Sequence, residues 1–118
     1  MHELTKAEEQ VMQILWKLKE AFVKDIVAEF PEPKPAYNTV STIIRILEKK
    51  EIVGYKAYGR THRYHPLISK ETYTKQTANS MVNKYFAGSF EQMVSFFVKE
   101  KNISAEELEK ILTKMNEL

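Results

Sequence analysis

The chain has 118 residues, a formal charge of +2 and no cysteine, which excludes a disulfide framework, a thiolate metal site and a cysteine nucleophile. That length fits one compact domain, or one domain with an appended oligomerisation segment. No apolar run approaches the ~18 residues a membrane span needs, and MHELTKAEEQ has no signal-peptide core behind a basic start, so a cytoplasmic location is expected.

Thr5 with Glu8 three residues on is a capping-box pattern, with Leu4 placed as the staple, and predicts a helix start. Val11, Ile14, Leu15 and Leu18 continue it as an apolar stripe that Met12 and Trp16 widen, with Trp16 expected in the core. Val23 to Phe30 repeats the pattern with residues 23, 26, 27 and 30 on one face. Pro31, Pro33 and Pro35 then stop that helix and make a stiff, extended turn.

The next helix carries Val40, Ile43, Ile44 and Leu47 at i, i+3, i+4 and i+7, one buried face. At ~100° per residue the opposite arc collects Asn38, Ser41, Thr42, Arg45 and Lys49, with Thr39 on its flank. A solvated helix face ordinarily mixes Glu with Lys. Here short hydrogen-bonding side chains stand among cations with no carboxylate, the side chains that reach base edges and phosphates from a major groove. Ile52–Tyr58 and Thr61–His65 are β-rich runs around Gly59-Arg60, the signature of a hairpin. Lys56, Arg60 and Arg63 decorate it. From Pro33 to His65 seven Lys/Arg face only Glu48 and Glu51, so the chain's positive charge is concentrated here. Three helices and a basic hairpin outline a winged helix-turn-helix that binds nucleic acid.

After Pro66 the character changes. Ser69 to Thr72 caps a long helix running to about Phe86, Gly88 interrupts, a second helix covers Phe90 to Lys101, and Ser104 with Glu107 opens a third. Three helices of about 45 residues make a thin core for an independent domain. Tyr85, Phe86, Phe90, Phe96 and Phe97 nevertheless crowd into a short stretch. Such apolar surface suggests burial against a partner chain, most economically a second copy. The expected dimer interface comprises Tyr85 and Phe86, then Phe90, Met93, Val94 and Phe97, then Leu108, Ile111 and Leu112.

No catalytic constellation is found. His62 and His65 are three apart in a strand and so face opposite sides, which disfavours a metal site on the pair. The glycines at 54, 59 and 88 form neither a dinucleotide fingerprint nor a phosphate loop. Glu8-Glu9 and Glu106-Glu107 fall in first turns, where carboxylates complement the helix dipole. No cofactor, metal or catalytic residue is expected, and the chain is not read as an enzyme.

The segments LTKAEEQVMQILW and YNTVSTIIRILEKKEIVGYKAYGRTHRYHPLIS, followed by a three-helix tail, resemble the BlaI/MecI/CopY family of bacterial repressors over nearly the whole chain. The resemblance implies a winged-helix homodimer on a palindromic DNA operator. Asn38, Thr39, Ser41 and Thr42 would face the major groove, Arg45 and Lys49 would lie near the backbone, and Lys56, Arg60 and Arg63 in or beside the wing. The family's copper-responsive branch uses a C-terminal cysteine cluster, which this chain lacks. In its β-lactam branch a membrane sensor-protease triggers cleavage of the repressor in the dimerisation helices, typically at an Asn-Phe bond. The matching place is Phe96-Phe97, where Phe96 stands for the Asn.

The expectation is therefore a mainly α protein with a small β-hairpin wing: a DNA-binding domain at 1–67 and a three-helix dimerisation domain at 68–118. The function expected is operator-binding repression relieved by proteolysis. The alternative is a winged-helix protein–protein interaction module without operator binding.

Overall fold

Thr5 opens the first helix as its spacing to Glu8 predicts. In the computed structural model, which describes residues 3–117, Thr5 Oγ1 accepts from the Glu8 N–H at 3.2 Å and Glu8 Oε1 accepts from the Thr5 N–H at 2.8 Å. Helix α1 runs Lys6–Leu18, α2 Val23–Glu29 and α3 Tyr37–Lys49. The Phe22 N–H at the start of α2 is held by the Asp25 carboxylate at 3.0 Å. Phe30 falls just past the end of α2, where Lys34 reaches back from the proline turn to cap the Ala28 and Phe30 carbonyls at 2.8 and 2.6 Å. Cations at a helix C-terminus satisfy orphan carbonyls and complement the dipole.

The apolar stripes meet as their periods require. Val11, Met12 and Leu15 of α1, Ile26 of α2, and Val40, Ile44 and Leu47 of α3 are fully buried together. Strands β1 (Val53–Tyr58) and β2 (Thr61–Pro66) pair antiparallel with Tyr58 opposite Thr61, leaving Gly59-Arg60 as a two-residue loop. Gly59 has φ +61°, the left-handed conformation such hairpin loops demand of their first central residue. Ala21 bridges the outer edge of β2 through two hydrogen bonds to Tyr64, 2.9 and 2.7 Å. The hairpin is thus anchored to the α1–α2 loop as well as to α3. Among the described residues, six helices with this hairpin make a winged helix-turn-helix followed by a helical segment.

The described residues up to Lys75 cluster as one unit and those from Gln76 onward as another, with helix α4 (Lys70–Tyr85) contributing to both. The first turn of α4 belongs to the first unit through Tyr73. This residue is buried, donates its hydroxyl to Glu9 Oε1 at 3.0 Å, and lies 5.5 Å from the Trp16 ring. Trp16, expected in the core, is half-buried and packs against it, its Nε1–H donating to the Ile68 carbonyl at 2.9 Å.

In the second unit, Ala87 and Gly88 both take positive φ and end α4. Ser89 caps α5 (Phe90–Glu100), and Ser104 caps α6 (Ala105–Asn116), each accepting from a backbone N–H three residues on at 3.1 Å. Phe96 packs edge-on against Phe97 and at a tilt against Phe86. No residue of α5 or α6 is fully buried. Tyr85, Phe90, Phe96, Phe97, Ile111 and Leu112 are exposed.

Candidate nucleic-acid interface

Helix α3 is amphipathic, so burying Val40, Ile44 and Leu47 forces its opposite side outward. Asn38, Thr39, Thr42, Arg45 and Lys49 are exposed and Ser41 is half-exposed. Two further residues share that outward side, Tyr37 and Ile46. Neither was expected there, because an aromatic and a β-branched aliphatic ordinarily signal core. Their positions relative to Ser41 and Thr42, four residues away on the helix, were the available signal.

Between α3, the start of α2 and the wing lies a cleft of about 600 Å³. Ser41, Arg45 and Lys49 line it from α3, Lys24 from α2, and Arg60 from the hairpin tip. Glu48 adds one carboxylate, and Tyr64 and His62 contribute aromatic surface. Burial first, and the Glu48 charge second, push the Tyr64 phenol above its ordinary pKa of 10, so it remains a neutral hydroxyl. Among the described residues no ion pair engages Lys24, Arg45, Lys49 or Arg60. Four cations without a carboxylate partner around one channel are an electrostatic funnel for a polyanion.

The fold therefore brings Ser41, Arg45, Lys49 and Arg60 together and adds Lys24, which the sequence did not single out. It places the remaining wing cations elsewhere. Lys56 and Arg63 are register partners, so they share the hairpin face opposite to that of His62 and Tyr64. Arg63 is also held by Glu20 at 3.0 Å, which offsets its like-charge contact with Lys56. Two more of the cations counted in this region are occupied structurally, Lys34 on the α2 carbonyls and Lys50 on Glu8 at 2.8 Å. His62 and His65 do face opposite sides: His62 stacks on Tyr55 at 4.0 Å, and His65 pairs with Gly54.

A family model described as penicillinase repressor matches residues 4–117. The methicillin resistance regulatory protein MecI of Staphylococcus aureus (strain N315) is 28% identical over 98% of this chain and 94% of its own. The penicillinase repressor of Staphylococcus aureus is likewise 28% identical, covering 98% and 93%. The penicillinase repressor of Bacillus licheniformis is 24% identical over 92% and 86%. A solved structure titled as that of the CopR repressor aligns with 58% of this chain and all of its own at 36% identity, with a TM-score of 0.47.

Proposed function

The chain belongs to the penicillinase repressor family, matched from residue 4 to residue 117, and we propose that this transcriptional repressor binds a palindromic DNA operator as a homodimer in the cytoplasm. The observation that carries this reading is the set of cations (Lys24, Arg45, Lys49 and Arg60), without an ion-pair partner among the described residues, around a cleft that Ser41 also lines, on the helix that exposes Asn38, Thr39 and Thr42. Phosphates passing along the cleft would be neutralised by these cations, while Asn38, Thr39, Ser41 and Thr42 approach base edges. Lys56 and Arg63 extend the basic surface onto the outer face of the wing. Among the described residues no helix is long and apolar enough to cross a membrane.

A two-fold operator requires two linked copies. The exposed apolar side chains of α4, α5 and α6, including Tyr85, Phe90, Phe97, Ile111 and Leu112, supply a surface for that association. Met93, Val94 and Leu108, each half-buried, and Phe86 complete it. Phe96-Phe97 lies inside the same unit, so cleavage there by a protease under a membrane sensor would separate the linked half-site contacts and relieve repression. No reaction is catalysed by this chain itself.

The test is selection from a mixed pool of short duplexes at two salt concentrations. Recovery of a two-fold symmetric motif, with affinity falling steeply as salt rises, is the expected result. Weak retention without enrichment, even at low salt, would instead favour an interaction module. On the selected duplex, Arg45→Ala is expected to weaken binding to all sequences and to lower the salt slope by about 1. Thr42→Ala is expected to cost ~1–3 kcal/mol on the selected duplex and little on random DNA. Equal losses on both would remove Thr42 from sequence reading.

A further inference from the structure

The outward side of α3 is less polar than its sequence suggests. Thr42 donates its hydroxyl to the Asn38 carbonyl at 2.9 Å, one turn back along the helix. That bond commits the hydroxyl hydrogen to the backbone, so Thr42 offers outward its methyl group and a remaining oxygen lone pair. Ile46 follows four residues later on the same side and is 42% exposed. Residues four apart on a helix have Cβ atoms ~5–6 Å from each other, so the Thr42 methyl and the Ile46 side chain form one apolar patch. Arg45 and Lys49 flank this patch, and Asn38 and Thr39 lie at its N-terminal end.

A single exposed isoleucine is ordinary. An apolar pair embedded among the polar and cationic groups of a DNA-facing helix has a more definite use. In the major groove the one apolar feature of a base pair is the thymine 5-methyl group, which aliphatic side chains and the Thr methyl contact. We propose that Thr42 and Ile46 read thymine through its methyl group, so that each half-site contains a thymine whose methyl, and not only its hydrogen-bonding edge, is selected. This rests on the operator-binding reading above and goes beyond it in naming the chemical group that is recognised.

The test uses the full chain and the duplex obtained by selection, with each thymine replaced in turn by deoxyuridine, which removes the methyl and leaves the hydrogen-bonding edge intact. At one thymine per half-site the replacement is expected to weaken binding about fourfold, and about 16-fold when made in both half-sites, the range of one buried methyl each. Ile46→Ala and Thr42→Ser are expected to bind the two duplexes with nearly equal affinity. Thr42→Val keeps the methyl and loses only the hydroxyl, so it should retain the discrimination. Ile46 is exposed, so its truncation leaves the core of the domain untouched, and the wild-type comparison needs no variant at all. Indifference of the wild type to every deoxyuridine overturns the proposal. So does a methyl effect that persists undiminished in both Ile46→Ala and Thr42→Ser. Failure to enrich any duplex in the first place overturns the operator reading and this one with it, and is recognised before any deoxyuridine is introduced.

Discussion

Ile111→Asp combined with Leu112→Asp is expected to turn the proposed homodimer into a monomer and to weaken the proposed operator binding by about 10²-fold or more. Both side chains are exposed on α6, at 45% and 51%, so within their own unit the two carboxylates meet water and α6 has no local reason to unfold. In a symmetric interface each substitution occurs twice, and four charges would be desolvated against apolar neighbours. The loss of affinity arises because a tethered second half-site contact is intramolecular, whereas two monomers must bind independently. Sedimentation equilibrium and operator titration on the same samples check the pair of outcomes. An unchanged mass together with unchanged affinity would remove α6 from the interface. A helical spectrum like that of the parent chain confirms that the effect is on association.

Glu8→Ala is expected to cost the first unit about 3 kcal/mol, roughly 15 °C in its melting temperature. The Glu8 carboxylate is 4% exposed and does two tasks at once. One oxygen completes the α1 capping box on the Thr5 N–H, and both accept from Lys50 Nζ, at 3.1 and 2.8 Å, just past the end of α3. It therefore ties the beginning of α1 to the end of α3. Burial pushes its pKa up, but the hydrogen bonds from Lys50 and Thr5 together outweigh burial and hold it below the ordinary 4.5. A carboxylate with a depressed folded-state pKa gives stability that is fully present above 4.5 and is lost as pH falls through the lower folded value. Glu8→Gln keeps a hydrogen-bonding cap but not the charge, so its melting temperature should fall less steeply with pH in that acid window than that of the parent chain. Trp16 is the only tryptophan and sits in the first unit against Tyr73, so its fluorescence reports this melting selectively. Parallel pH profiles for parent and Glu8→Gln would show that the ion pair contributes nothing.

Much of the architecture is legible in the sequence. The Thr5–Glu8 box, the Ser104 cap, the stripe at Val40, Ile43, Ile44 and Leu47, and the Gly59-Arg60 loop are decided by residues within a turn or two of each other. Local sterics and hydrogen bonding act over that range, so a sequence window contains the whole cause. The concentration of positive charge between Pro33 and His65 was legible for the same reason. Which of those charges stays available was not. Lys50 is engaged by Glu8 across 42 residues, Arg63 by Glu20, and Lys34 by the carbonyls that end α2. Lys24 joins the cleft from an earlier helix whose own pattern signals only packing.

The sequence by itself determined the helices, the Thr5, Ser69 and Ser104 caps, the hairpin around Gly59-Arg60, and the polar side of α3, because each follows from periodicity and short-range chemistry. Only the tertiary structure decided which cations face a common cleft and that Tyr73 of α4 packs against Trp16. Ion pairs and packing partners are chosen by distances between segments far apart in the chain. Those distances exist only once the core has closed.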